Sequence, residues 1–194
     1  MIATTVIMLL LAWPFAGGQP PGEGRSSSAY REAWQSQGGR TMAFTLTTTA
    51  FSAGGEIPKK YTCDSADLSP SLAWSDAPPD TKSFALIADD PDAPVGTWTH
   101  WLIWNIPGKS RGLAENVLKM DTLADGTRQG RNDFRRIGYG GPCPPPGKPH
   151  RYFFRLHALD RVLDLKAGVS RAELERATKG HVLAQAEVMG KYGR

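Results

Sequence analysis

Asp89, Asp90, Asp92 and His100 stand in "ADDPDAPVGTWTHWLIWNIP", residues 88–107, where carboxylates and an imidazole abut one of the most apolar segments of the chain. An unpaired carboxylate is too costly to bury, so such groups either stay at the solvent edge of a core or are gathered into a site. A second histidine, His150, follows directly on "QGRNDFRRIGYGGPCPPPGKP", residues 129–149, a stretch with five glycines and five prolines. Pro142, Pro144, Pro145 and Pro146 would stiffen that loop into a rim, while Gly140 and Gly141 would let backbone amides approach a ligand. Two histidines, an acidic loop and a rigid rim can together surround one polar pocket.

The elements that would position these groups read as strands. "KSFALIADD", residues 82–90, is a continuous apolar run closed by acids, the pattern of a buried strand emerging at a loop. In "WTHWLIWNIP" a period of two places His100, Leu102 and Trp104 on one face and Thr99, Trp101 and Ile103 on the other. "HRYFFRLHALD", residues 150–160, sets His150, Tyr152, Phe154 and Leu156 against Arg151, Phe153, Arg155 and His157. "AFTLTTTAF", residues 43–51, alternates as a strand, and "VLAQAEVMGKY" has apolar residues at 182, 184, 186 and 188 that mark a closing one. "SRAELERATKGH" predicts a short helix, with Ser170 as cap, Glu173 in the capping-box position and Gly180 as stop. Strands separated by Gly/Pro-rich loops, with one or two short helices, give a mainly β fold, an antiparallel β-sandwich.

The 194 residues are enough for one good core. A hydrophobic share of 40% and a charged share of 22% are ordinary for a globular protein. The formal charge of +4 is spread along the chain, and no run of Lys and Arg forms a nucleic-acid arm. Trp74, Trp98, Trp101 and Trp104 lie on strand-like runs without interleaved basic residues, so core or pocket wall fits them better than a base-stacking surface.

Residues 1–18 form a signal-like hydrophobic segment, too short for a comfortable membrane span, with small residues at Ala16-Gly17-Gly18 but no basic start. Residues 19–41 read as a disordered leader. Two readings stand: an exported, periplasmic protein with this segment as its signal, or a cytoplasmic one beginning at Met42 with 1–41 a mistaken extension. Residues 42–194 carry the domain, with no integral membrane association after residue 18. Cys63 and Cys143 likewise leave two readings, one long-range disulfide in an oxidising compartment or two free thiols.

"YTCDSADLSPSLAW", "DDPDAPVGTWTHWLIWNIP", "GRNDFRRIGYGGPCPPPGKPHRYFF" and "GHVLAQAEVMGKY" occur in that order, and together they resemble the phosphatidylethanolamine-binding protein family in its bacterial Raf-kinase-inhibitor-like branch. The resemblance spans residues 43–194 and implies an antiparallel β-sandwich with a small anion-binding pocket. Carried over by motif, that pocket would comprise Asp90 and Asp92 of "DPDAP", His100 of "WTHW", Gly140 and Pro142 of "GYGGP", and His150 and Tyr152 of "HRY". Within it, His100, His150 and the glycine amides would neutralise a phosphate or carboxylate, and Asp90 would accept from an ethanolamine ammonium. Ser65 and Arg135 depart from the family pattern, where glycine is common. His157 and His181 read as structural, and Asp89 as a turn aspartate bonding nearby amides.

The function this implies is binding of a small anionic ligand, phosphate or phosphoethanolamine-like, with a regulatory or inhibitory role towards a kinase or protease partner. No cofactor is implied. A metal site is not expected, because Asp90, Asp92, His100 and His150 mix ligand types without diagnostic spacing. Hydrolysis of a small phosphoester is the enzymatic alternative, but no GxSxG elbow, zincin helix or activated nucleophile is present. Exposed edge strands leave a homodimer open.

Overall fold

A computed structural model describes residues 43–194; the signal-like segment, the leader and the alternative start at Met42 lie outside the described residues. The chain runs β1 (Thr45–Thr47), a 3-10 turn (Lys59–Tyr61), β2 (Leu72–Ser75), β3 (Ser83–Asp90), β4 (Trp98–Pro107), β5 (Gly112–Leu113), β6 (Arg128–Gln129), β7 (His150–Leu159), α1 (Arg171–Thr178) and β8 (Val182–Tyr192). One sheet has the order β1-β2-β5 and the other β6-β4-β3-β7-β8. These strands all pair antiparallel. Among the described residues the fold is mainly β, with one short helix.

Strand β3 lies in the middle of the larger sheet, and all eight of its residues are buried. Phe84, Leu86 and Ala88 pack with Leu46 and Trp74 of the smaller sheet and with Tyr152, Phe154 and Leu156 of β7. On the other face Ala85 and Ile87 meet Leu102, Trp104, Leu163 and Leu174 of α1. An apolar run without alternation is what a strand covered on both faces requires. Each fully buried large side chain in these clusters contributes about 1.5–3 kcal/mol.

Alternation in β7 holds as the sequence predicts, but β4 departs from a plain period of two. Ala88 pairs with Trp101 and Asp89 with Thr99, so His100 is an extra residue with no partner across the ladder. Trp101 and Ile103 enter the main core and Leu102 and Trp104 the second one. His100 is not on the Leu102 face: its ring packs edge-on to Tyr152 of the main core, with centroids 5.2 Å apart. A bulge re-aims a side chain in this way. A second irregularity, between Phe84 and Leu86, coincides with Asn105 at φ 57, whose side chain bonds both backbone groups of Leu163.

The helix keeps its signals: the Glu173 carboxylate accepts from the Ser170 N–H at 2.8 Å, and Gly180 follows the last turn at φ 82. Strand β1 is shorter than the alternation of residues 43–51 predicts. The Thr48 hydroxyl bonds the Ser71 carbonyl at 2.5 Å and accepts the Ala50 N–H at 3.1 Å, replacing ladder bonds and ending the strand.

Candidate ligand-binding site

A cavity of about 180 Å³ opens where β3 ends, β4 begins and β7 begins, and Asp90, Trp98, His100, Phe134, Pro144 and His150 are among its walls. The Asp90 Oδ2 to His150 Nδ1 distance is 2.7 Å, and Asp90 Oδ1 accepts the Asp92 N–H at 2.8 Å. Both carboxylate oxygens are therefore engaged. Because a carboxylate accepts, Nδ1 of His150 carries the proton and Nε2 is left for a ligand.

His100 is 4% exposed. Its Nδ1 lies 2.6 Å from the Gly140 carbonyl, and its own carbonyl accepts the Gly140 N–H at 2.9 Å. This reciprocal pair ties β4 to the Gly/Pro loop and settles the tautomer, since a carbonyl can only accept. Burial pushes the imidazole pKa below its usual value, against the pull of the Gly140 carbonyl, so His100 is neutral at pH 7. The expectation that it donates to an anion is corrected: the ring atom left without a protein partner, Nε2, carries a lone pair.

The rim glycines serve a different end from the predicted one. Gly140 donates to His100, and Gly141 donates to Asp67 Oδ1 at 2.6 Å, so neither amide is available to a ligand. Their smallness is needed for packing: a Cβ on Gly141 would lie 2.3 Å from the Tyr61 carbonyl oxygen, and one on Gly140 2.7 Å from the Phe134 ring. Pro142 is buried behind the rim, where its carbonyl accepts the Cys63 N–H at 3.1 Å; Pro144 and Pro145 line the cavity instead. Cys63 and Cys143 form a disulfide with Cα atoms 5.4 Å apart, and Cys143 is part of the cavity wall. Free thiols are thus excluded in this state.

Asp92 is turned out of the cavity. Its carboxylate takes two bonds from the Arg151 guanidinium, at 2.7 and 2.9 Å, and the Arg151 N–H at 2.9 Å. These bonds hold its carboxyl well below the usual carboxylate range. It lines an adjoining groove of about 800 Å³ with Lys148, His150, Arg151 and Lys191. Tyr152, 3% exposed, buttresses His100 from the core, and burial together with the Asp90 charge keeps its phenol protonated.

Sequence reasoning left several parts of the site unidentified. Phe134 packs edge-on to both Trp98 and His100, with centroids 5.4 and 5.3 Å away. Trp98 was assigned no more than core or wall, yet its indole N–H is buried without an acceptor among the described residues and the ring lines the cavity. Arg135, one of the two departures, has φ 62, a conformation that favours glycine. Asp89 is not a turn aspartate: it is 1% exposed and bonds Arg155 at 2.5 Å and Arg171 at 2.7 Å on the opposite face of the sheet. His181 is paired with Asp160 at 3.0 Å, in keeping with a structural role. Among the described residues no three His, Cys, Asp or Glu side chains converge as a ligand set for a metal.

Fold and site define a ligand-binding antiparallel β-sandwich, with its pocket at the ends of the central strands. A model of the phosphatidylethanolamine-binding protein family matches residues 47–193, and the chain belongs to that family. A UPF0098 protein of Methanothermobacter thermautotrophicus is 54% identical over 149 residues, 77% of this chain and 98% of the relative. One from Aquifex aeolicus is 50% identical, over 82% of this chain and 92% of the relative. Among solved structures, E. coli YbcL, described as a member of the mammalian PEBP family, superposes with a TM-score of 0.73 at 35% identity, covering 78% of this chain and 98% of its own. A Chlamydia trachomatis PEBP homologue gives 0.72 at 42%, with the same coverage. The bacterial relatives fit the branch read from the sequence.

Proposed function

We propose that this protein binds a small phosphoryl-bearing anion in the cavity between His100 and His150. The carrying observation is the convergence of both imidazoles on one cavity of about 180 Å³ walled by Trp98 and Phe134, with Asp90 behind His150. That space suits a headgroup rather than a larger molecule. With Nδ1–H held by Asp90, His150 would turn its Nε2 to a bound phosphoryl oxygen, through a shared proton. The rest of a larger ligand would leave along the Lys148/Lys191 groove. The family name supports a phosphoethanolamine-like headgroup, with the ammonium approaching Asp90.

Calorimetric titration of the full chain with phosphoethanolamine tests this reading. The expected result is saturable binding that His150→Ala weakens at least about tenfold, the loss of a charge-assisted hydrogen bond. Binding that is absent, or unchanged in the variant, overturns it.

Occupancy of the pocket would in turn regulate a protein partner, a kinase or protease. Capture of such a partner that phosphoethanolamine does not compete away would contradict that link. One observation favours the alternative of hydrolysis: Asp90 orients His150 as a carboxylate orients a general base. Binding is the better-supported reading, because the cavity walls include no serine or threonine and Cys143 is in a disulfide. Turnover across a panel of small phosphoesters, lost in Asp90→Asn, would reverse that preference.

A further inference from the structure

The geometry points to a thiol-exchange site at the Cys63–Cys143 bridge: a small thiol entering the cavity takes Cys143 into a mixed disulfide, and Cys63 leaves as a thiolate held by Arg194. The inference does not depend on what else the cavity binds.

Two observations carry it. The first is the position of Arg194, whose Nη2 lies 2.8 Å from Cys63 Sγ and 3.1 Å from Cys143 Sγ. The guanidinium is held there as a fork on Asp64, with Nε 3.0 Å from Oδ2 and Nη2 2.9 Å from Oδ1, and the Tyr192 hydroxyl donates to the same carboxylate at 2.5 Å. The fork takes one Nη2 hydrogen and leaves the other for the sulfurs. Asp64 tempers the charge but keeps that N–H in place. A disulfide sulfur is a weak acceptor, whereas a thiolate beside a guanidinium gains a charge-assisted hydrogen bond. The arrangement therefore favours the opened bridge, with the negative charge on the sulfur nearer Nη2, that of Cys63. The second observation is access. Both cysteines are half-buried, but Cys143 is a wall of the cavity beside Pro144, Pro145 and the two imidazoles, and Cys63 is not. Exchange needs a path to the attacked sulfur, and the cavity supplies one to Cys143 while Arg194 lies against Cys63.

The step balances without an external oxidant. A thiolate RS⁻, its proton already given to solvent, forms an S–S bond to Cys143 Sγ; the Cys143–Cys63 bond breaks, and its electron pair leaves on Cys63 Sγ beside Arg194. One disulfide is exchanged for another, and the substituent R stands in the cavity. Return attack by the Cys63 thiolate on Cys143 expels RS⁻ and restores the bridge, so the modification is reversible and follows the supply of thiol.

The test treats the full chain, folded and without denaturant, with mercaptoethanol, quenches with acid at intervals, blocks free thiols with N-ethylmaleimide and locates both groups by peptide mass spectrometry. The expected early product carries mercaptoethanol on Cys143 and the maleimide on Cys63. Arg194→Gln should slow opening at least about threefold, the effect of a poorer leaving thiolate, and Arg194→Lys, which keeps the charge, should retain most of the rate. Absence of the Cys143-linked product, or an Arg194→Gln variant that opens as fast as the wild type, overturns the inference.

Discussion

Asp89 and Asp90 are consecutive residues of β3 whose carboxylates serve opposite faces of the five-stranded sheet. Asp90 meets His150 at 2.7 Å beside the cavity, while Asp89 meets Arg155 and Arg171 at 2.5 and 2.7 Å beneath α1. One closes the site and the other fastens the strand end that presents it.

Removing one member of a buried ion pair leaves its partners uncompensated, so Asp89→Ala should lower stability by about 2–4 kcal/mol. The Asp92–Arg151 pair is more exposed, with side-chain exposures of 30% and 50%, and Asp92→Ala should lower it by less than about 1 kcal/mol. Urea unfolding of both variants checks the ordering. Equal losses would mean that Asp89 does not hold the sheet to the helix.

Much of this layout is legible in the sequence, and what is not has physical causes. The unbroken apolar run of β3 and the strict alternation of β7 carry their burial in local pattern. The partners of Asp89 do not, because Arg155 and Arg171 lie 66 and 82 residues away and nothing local marks them. The His100 bulge was hidden because an inserted residue shifts the faces without altering composition. The glycines of "GYGGP" were recognised as special for the wrong reason, since close packing and ligand approach ask for the same residue.

Burial lowers the pKa of His100 and also of His157, where Arg155 adds to the effect. The unfolded chain then binds protons that the folded one refuses. Stability is therefore full above the unfolded histidine value, about 6.5, and falls as pH drops below it. Asp92 acts in a lower window: its depressed carboxyl contributes stability above its unfolded value, about 3.9, that is lost on further acidification. Unfolding free energies at pH 7 and 5 should differ in the wild type and converge in a His100→Asn, His157→Asn double variant. A wild type equally stable at both values would contradict neutral burial.

The Cys63–Cys143 bridge closes a separation of 80 residues and pins the rim to the segment after the 3-10 turn. Reduction should lower stability by about 2–4 kcal/mol, mainly by freeing the unfolded chain. Because Cys143 lines the cavity, phosphoethanolamine affinity should fall as well. Thermal melts and titrations with and without reductant check both effects, and an unchanged melting temperature would contradict the first.

Arg135 holds φ 62, where a side chain meets its own backbone and glycine does not. Arg135→Gly should raise stability by about 1 kcal/mol despite the greater freedom of glycine in the unfolded chain. A lower denaturation midpoint would show that the Arg135 side chain contributes more than its backbone strain removes.

Everything proposed for the cavity depends on a phosphoryl group lying between its two imidazoles. A crystal structure of the protein grown with phosphate tests it most directly. The expected result is tetrahedral density within hydrogen-bonding reach of Nε2 of both His100 and His150. An empty cavity, with phosphate held only at Lys148 and Lys191 in the outer groove, would contradict it.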